Sequence, residues 1–249
     1  MKKHITSFAA VAGILTASAD ISNPGPTGTV APEKKYPWES KITAGLTVTA
    51  GNSDTVLGML AIGTVRKTPE NEFTFGADAA YGKANSVLNQ ESYHVFGQWN
   101  HLFTERFYSY VNGDALRDTV SDLRYRVSLS PGVGYYFIKQ TKTTLSAEAG
   151  PGVIFRGLGE NDETYATLRI AENFEHKFGS GARIWQKAEL LPQVDRWQNF
   201  IFNFEVGAEA TLTGDLSLNV TLSDTYNSEP ASGRKRNDLK LVSGLSYKF

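Results

Sequence analysis

The stretch at residues 239–249, LKLVSGLSYKF, decides the fold that this sequence predicts. Its odd-numbered positions are apolar or aromatic except for Ser243, and its even-numbered positions are polar or small except for Val242. Successive side chains of a β-strand point to opposite faces, so this alternation predicts a two-faced strand. A tilted strand of about 9–11 residues is long enough to cross a membrane. The stretch therefore resembles the closing strand of an outer-membrane β-barrel, ending on Phe249.

The same alternation recurs in eleven segments between Trp38 and residue 239, most clearly at residues 123–137. It is too regular for a helix, whose period is 3.6 residues. Short turns and longer, more polar loops follow the segments in alternation, with residues 52–54 as the short exception. This is typical of a barrel with both termini in the periplasm. The sequence therefore predicts an all-β fold: a transmembrane, antiparallel, up-and-down β-barrel of about 12 strands. Its last strand should pair with the first segment, residues 38–50.

Segments two, four, five, eight and nine alternate less clearly, and in the second, at residues 56–65, either parity fits. The eighth segment has a charged residue on its apolar face. Glu172 and His176 fall on the same face as Leu168, Ile170 and Phe174, which would turn a carboxylate toward lipid. Such a carboxylate costs free energy of the order of kcal/mol. A β-bulge would change the face, because it adds one residue to a strand.

Aromatic residues near the ends of the segments form two groups. The groups are about one bilayer apart, like the interfacial girdles of a membrane barrel. A soluble sandwich would collect them in one core instead. The group beside the short turns and termini contains Trp38, Phe73, Phe103, Phe107, Phe137, Phe178 and Phe249. The group near the longer loops contains Tyr81, Tyr93, Tyr125, Phe155, Tyr165, Phe200 and Tyr226.

The chain start has the features of a signal peptide. Lys2 and Lys3 precede an apolar run at residues 5–16, and Ala17-Ser18-Ala19 fits a cleavage site. An ordinary N-terminal helix is the alternative. Residues 20–37 are rich in proline and glycine, so we expect a disordered lead-in. The domain prediction is thus a signal peptide at 1–19, a lead-in at 20–37 and an outer-membrane β-barrel at 38–249.

Composition limits the classes of partner and binding site that we expect for this protein. The net charge of −1 does not favour a nucleic-acid surface, and the absence of cysteine excludes disulfides and thiolate metal sites. We expect no cofactor, and a location in the bacterial outer membrane. The expected partners are outer-membrane lipid, with lipopolysaccharide as a further candidate, and the barrel assembly machinery during insertion. The outward residues Leu245, Tyr247 and Phe249 resemble the terminal signal that this machinery reads.

Several motifs resemble one family. The segment from Trp38 to Gly51-Asn52-Ser53-Asp54-Thr55, residues 131–135 (PGVGY), residues 149–152 (AGPG) and the ending GLSYKF are similar to the YdiY-like family, also called salt-induced outer membrane protein. The resemblance covers essentially all of residues 38–249. It implies the barrel fold, the outer-membrane location and a structural or envelope-stress role linked to salt. Its motifs are glycines and strand patterns, so it implies no catalytic mechanism.

No catalytic constellation stands out. The residues two positions after His94, His101 and His176 are phenylalanines, whereas barrel lipases need a serine there for the imidazole to activate. We therefore predict that the protein is not an enzyme. A lipid-modifying enzyme that depends on His94 is the least favoured alternative.

The predicted inward face carries nearly balanced charge. A selective pore would show an excess of one sign, whereas matched charges can pair across the lumen and leave a narrow water path. A structural ion-pair network is the favoured interpretation, and a narrow passive diffusion channel for ions or small solutes is the alternative. The bases are Lys41, Arg124, Arg126, Arg169, Lys177, Lys187, Lys240 and Lys248; the acids are Asp78, Asp114, Glu148, Glu175, Glu189, Glu205 and Glu209.

The longest loop contains Gly233-Arg234-Lys235-Arg236. These bases could meet phosphates of the outer leaflet, but a solvated loop is the favoured interpretation.

Overall fold

A computed structural model describes residues 36–49, 55–179 and 181–249 of the chain. These residues form twelve antiparallel strands that close into one barrel, each strand pairing with its neighbours in sequence and the last with the first. The strands are β1 (Glu39–Thr49), β2 (Thr55–Lys67), β3 (Asn71–Ala84), β4 (Val87–Leu102), β5 (Phe107–Asp118), β6 (Leu123–Lys139), β7 (Thr143–Leu158), β8 (Asn161–Lys177), β9 (Ala182–Gln193), β10 (Arg196–Thr213), β11 (Leu216–Asn227) and β12 (Asn237–Lys248).

Parts of the predicted organisation lie outside the described residues. These are the signal peptide at 1–19, the lead-in at 20–37 apart from its last two residues, and the Gly51-Asn52-Ser53-Asp54 turn. Among the residues that are described, none belongs to a helix long and apolar enough to cross a membrane.

The outer surface of the barrel is apolar. On β6, Val127, Leu129 and Val133 are exposed on the outside, while the alternate residues Ser128 and Ser130 are buried against the lumen. The same division runs around the barrel, because residues that pair across neighbouring strands point to the same face of the sheet. A continuous band of exposed aliphatic and aromatic side chains is unfavourable in water and favourable in lipid. The predicted transmembrane, up-and-down barrel of twelve strands is confirmed.

Most of the girdle aromatics are outward. At the end where β1 begins and β12 ends, which we assign to the periplasm, Trp38 packs against Phe73, and Tyr247 stacks on Phe249 with ring centroids 6.5 Å apart. Tyr165 is an exception, and its prediction is wrong. It lies on the lumen face of β8 and is buried in a cluster with Ile154, Leu191 and Ile201. A large aromatic side chain can fill lumen volume as readily as it anchors an interface, so residue type alone does not separate the two.

The closing strand pairs with the first strand, as predicted. Lys41 pairs with Lys248 and Ala44 with Leu245, and the backbone N–H of Phe249 donates to the Ser40 oxygen over 2.9 Å. Behind the ladder, the hydroxyls of Thr43 and Ser246 are 2.7 Å apart. The strand that decides the fold is therefore held at the seam by backbone bonds and by a buried side-chain contact.

Glu172 lies on the outer face of β8. The β7–β8 pairing runs from Thr143 opposite His176 to Leu158 opposite Asn161 without a register shift, so the considered bulge is not present there. Gln186 on β9 donates from Nε2 to Glu172 Oε2 over 3.1 Å. A neighbouring amide thus partly satisfies the carboxylate within the apolar exterior.

Two glycines of the PGVGY motif make room for tyrosines in the lumen wall. Tyr108 and Tyr110 on β5 lie opposite Gly134 and Gly132 on β6. A Cβ at Gly134 would come within 2.3 Å of the Tyr108 ring, which no real side chain tolerates. The motif therefore has a packing function: it lets two aromatic rings lie flat on the sheet.

Candidate functional site: the lumen of the barrel

The lumen carries the charged residues of the chain that are most enclosed. Fourteen of the fifteen charged residues assigned from sequence to the inward face lie there, as strand register requires. They are Lys41, Asp78, Asp114, Arg126, Glu148, Arg169, Glu175, Lys177, Lys187, Glu189, Glu205, Glu209, Lys240 and Lys248.

Arg124 does not belong to this network, so its assignment was wrong. The β5–β6 and β6–β7 ladders both shift register near the start of β6, which places Leu123 and Arg126 inward and turns Arg124 to the exposed rim. There its Nη2 binds Asp162 Oδ1 at 2.6 Å. Strict alternation fails at this point because a bulge inserts an extra residue.

A buried polar layer crosses one wall of the lumen. Arg169 on β8 donates from Nη1 to Glu148 and from Nε to Glu189, at 2.7 and 2.6 Å. Glu148 also accepts hydrogen bonds from the Tyr108 hydroxyl at 2.9 Å and from Gln98 Nε2 at 2.7 Å. The Arg169 and Glu148 side chains are only 7% and 2% exposed. Strands β4, β5, β7, β8 and β9 are therefore tied together through the lumen.

The layer continues toward the periplasm through a carboxylate that sequence analysis missed. Glu72 on β3 is buried and accepts a 2.5 Å hydrogen bond from the Tyr136 hydroxyl. Lys139 Nζ lies 3.4 Å from its other oxygen, and Asn100 joins it to the amides of β4. Glu72 shares parity with Asp78 on the same strand, so the alternation of β3 could have identified it.

The adjoining side, formed by β9 and β10, is more open. Lys187 is the sixth of twelve residues in β9, and its ammonium lies 3.3 Å from Glu205 on β10. The side chains of this pair are 55% and 34% exposed although both point into the barrel. Trp185 donates to the same Glu205 carboxylate over 2.7 Å. These ionised groups are therefore accessible from the lumen at mid-height, whereas the Arg169 and Glu148 side chains are not.

A second group of ion pairs lies at the periplasmic end. Glu209 on β10 accepts from Lys41 Nζ at 2.7 Å and from Arg183 at 3.1 Å. Arg183 also binds Glu175 on β8 at 2.7 Å, and Lys177 lies 3.3 Å from the same carboxylate. Arg183 was not identified from sequence because the ninth segment alternates poorly. Each charge in this group has a partner of opposite sign.

His94 on β4 lies between two aspartates. Its Nδ1 is 2.9 Å from Asp78, and its Nε2 contacts Asp114 on the other side. Arg126 Nη2 lies 3.6 Å from Asp114 and completes the cluster. Since both imidazole nitrogens face carboxylates, the ring is not placed to activate a hydroxyl nucleophile. Within the described ranges, no group of three or more histidine or acidic side chains is arranged to hold a metal ion.

The other mouth, which we assign to the extracellular side, is bridged by an ion pair. Lys240 on β12 reaches across to Asp118 on β5, with Nζ and Oδ2 3.4 Å apart. The two strands lie on nearly opposite sides of the barrel. Below this bridge, Arg126 and Arg156 are direct neighbours in the β6–β7 ladder. Arg156 was also missed, although it shares parity with Glu148.

Solved structures with the same architecture are outer-membrane barrels. The NanC porin matches with a TM-score of 0.52 at 8% identity, covering 85% of this chain and 100% of the porin. The KdgM porin in complex with disordered oligogalacturonate gives 0.47 at 12% identity, covering 84% and 99%. The translocator domain of the autotransporter NalP from Neisseria meningitidis gives 0.45 at 13% identity, covering 85% and 87%. At these identities the likeness concerns the fold.

The closed barrel, its apolar outer surface and the shared fold place the protein in the bacterial outer membrane. No curated protein matches the chain. A family model described as "Protein of unknown function, DUF481" matches residues 42–249, which is almost the whole barrel. The chain belongs to the DUF481 family.

Proposed function

We propose that the protein is a narrow passive diffusion channel for ions or small solutes. The observation that carries this proposal is the exposure of Lys187 and Glu205 halfway through the barrel, on the lumen side. A charged side chain is hydrated there only if the lumen holds water at that level, because burial of an ammonium group in a dry core costs several kcal/mol.

The water path is narrow and of mixed charge. The polar groups around Arg169 and His94 extend from β3 to β9, so the side formed by β10–β12, β1 and β2, together with Lys187 on β9, remains for solutes. That side carries small residues such as Gly63 and Ala61, and pairs such as Lys41 with Glu209. Since bases and acids alternate along it, we expect small conductance steps with weak preference between cations and anions.

Single-cysteine variants test the water path, because the natural chain contains no cysteine. Lys187→Cys places a thiol in the lumen, and Ala188→Cys places one on the outer face of the same strand. The purified variants are reconstituted in planar bilayers and treated with a charged, membrane-impermeant thiosulfonate. We expect stable conductance steps that fall on modification of Lys187→Cys and stay unchanged for Ala188→Cys.

Two results would contradict the proposal. One is an absence of reproducible conductance steps for correctly folded protein. The other is equal reaction of the two cysteines, which would mean that strand face does not determine access to water.

A structural role in the envelope is the second candidate, favoured by the buried Glu148–Arg169–Glu189 layer and by the similarity to the YdiY-like, salt-induced family. A barrel whose lumen charges pair internally can act as a rigid membrane element without transport. A deletion strain that leaks periplasmic protein at high salt, together with purified protein that conducts no ions, would favour this role over the channel.

We also propose that the protein is not an enzyme, since the two nitrogens of His94 are held by carboxylates. The measurement is release of fatty acid from mixed lipid vesicles. Release that disappears in a His94→Ala variant would contradict this proposal.

A further inference from the structure

The extracellular mouth contains a cavity lined by an excess of bases. The cavity measures about 70 Å³, several times the roughly 10–15 Å³ that one water requires. Its acids, Asp118 and Asp238, are already engaged: Asp118 by Lys240, and Asp238 by the Ser121 hydroxyl at 3.0 Å. The bases that line it are Arg126, Arg156, Arg234, Lys235 and Lys240.

Arg156 is the most enclosed of these bases. Its side chain is 2% exposed, stacks over the Tyr165 ring at 5.3 Å and binds Glu163 through Nη2 at 2.6 Å. Within the part of the chain that the structure describes, its Nε and Nη1 have no hydrogen-bond partner. A buried guanidinium donor without an acceptor is costly, and guanidinium N–H groups are suited to bind oxyanions in pairs.

Arg126, on the neighbouring strand β6, is a second enclosed arginine with an unpartnered donor among the described residues. It is 10% exposed, its Nε is also unpartnered among the described residues, and its one ion pair, to Asp114, is 3.6 Å long. The register makes Arg126 and Arg156 direct cross-strand neighbours on the lumen face. Like charges in this position repel each other, unless an anion lies between them.

We propose that this cavity is a binding site for a compact oxyanion, namely a phosphate, sulfate or carboxylate group of a dissolved solute. Arg126 and Arg156 form its floor, and Arg234 and Lys235 lie in the loop above it. The earlier expectation of a purely solvated loop does not account for these two bases lining a cavity. The site faces the lumen rather than the bilayer, which favours a solute from the medium over a lipid headgroup. The inference does not depend on conduction.

Inorganic phosphate is the probe. The unfolding midpoint of the full-length protein in neutral detergent is measured against phosphate concentration, with sodium chloride added to keep the ionic strength constant. A ligand that binds the folded state raises the midpoint as its concentration exceeds the dissociation constant. We expect a saturating rise for the wild type and for Arg124→Gln, the exposed arginine two residues from Arg126.

Arg126→Gln and Arg156→Gln should weaken apparent phosphate affinity about tenfold or more, since each removes a charged donor. Each variant is compared with its own phosphate-free midpoint, so a lower intrinsic stability does not imitate this result. Glu163→Gln should act in the opposite direction, because it releases Arg156 Nη2 from a competing carboxylate. That variant keeps the test valid if Arg156→Gln does not fold.

The absence of a phosphate-dependent rise, or an equal loss in Arg124→Gln and Arg156→Gln, would overturn the site. The titration is repeated with phosphatidylglycerol in the detergent micelles. Unchanged phosphate affinity supports a dissolved ligand, whereas a drop would identify a lipid headgroup as the occupant and overturn the assignment to a solute.

Discussion

Arg169 and Glu148 form an ion pair of 2.7 Å in which both side chains are almost completely removed from water. The guanidinium satisfies a second carboxylate, Glu189, and the Glu148 carboxylate accepts from Tyr108 and Gln98 as well. Such a group is stable only as a whole, because loss of one charge leaves its partner buried and uncompensated.

We therefore expect Arg169→Met to destabilise the barrel by about 3–5 kcal/mol, the usual effect of breaking a buried pair. Arg124→Met is the control, since its pair with Asp162 is exposed and should contribute about 1 kcal/mol or less. The measurement is urea unfolding in lipid vesicles, followed by tryptophan fluorescence. Adding Glu148→Gln and Glu189→Gln to Arg169→Met should recover part of the loss. Equal effects of the two single variants would contradict a buried network.

The Lys187–Glu205 pair should control the weak ion preference of the proposed channel. Lys187→Gln leaves the Glu205 carboxylate without its ammonium partner, so the lumen becomes more negative and cation preference should increase. Glu205→Gln should shift the preference toward anions. Reversal potentials in a potassium chloride gradient measure both shifts. Identical reversal potentials for the two variants would show that ions do not pass this pair.

Deletion of Phe249 should reduce assembly more than it alters any finished barrel. The deletion removes the residue whose backbone both donates to and accepts from Ser40 at the seam. It also removes an outward aromatic that stacks on Tyr247. Phe249→Ala keeps the backbone bonds and separates the two contributions, and Phe137→Ala is a control within the same periplasmic girdle. Normal amounts of heat-modifiable protein in the membrane fraction after the deletion would contradict this prediction.

Gly134→Ala should destabilise the barrel by about 1–3 kcal/mol, the usual effect of overpacking. The new Cβ would meet the Tyr108 ring, which is pinned by its hydrogen bond to Glu148. Gly113→Ala is the matched control, because a Cβ there meets nothing within 4 Å. The measurement is the urea concentration at the midpoint of unfolding for each of the two variants. Similar midpoints would mean that the Tyr108 ring can move away at little cost.

The outward face could be predicted from sequence because lipid imposes one requirement on it. Val127, Leu129 and Val133 are apolar and face outward, because a charged side chain at such a site costs free energy in a membrane. The second strand was ambiguous, since residues on both of its faces are apolar or small. Its face is set only by pairing with β1 and β3.

The inward partnerships could not be predicted. Lys240 meets Asp118 across 122 positions of sequence, and parity gives no information on which charges face each other across a lumen. The face of Arg124 could not be predicted either. A bulge reverses the parity of the strand there, and no residue type in the sequence marks its position. His94 lay in an irregular segment, so its two aspartate neighbours became visible only when β3, β4 and β5 were aligned.

The seam between β1 and β12 has a mechanical consequence. In the described residues its strand ladder has four residue pairs, from Lys41 with Lys248 to Ala44 with Leu245, and Ser40 and Phe249 add two backbone hydrogen bonds, whereas β1 and β2 are joined by eleven pairs. A cylinder under lateral tension separates along its shortest line of hydrogen bonds. The first and last strands meet on that line, so we expect the wall to open there first. On the lumen side of the seam, the Ser246 hydroxyl is hydrogen-bonded to both Thr43 and Asn219, and these two bonds help to hold the seam closed.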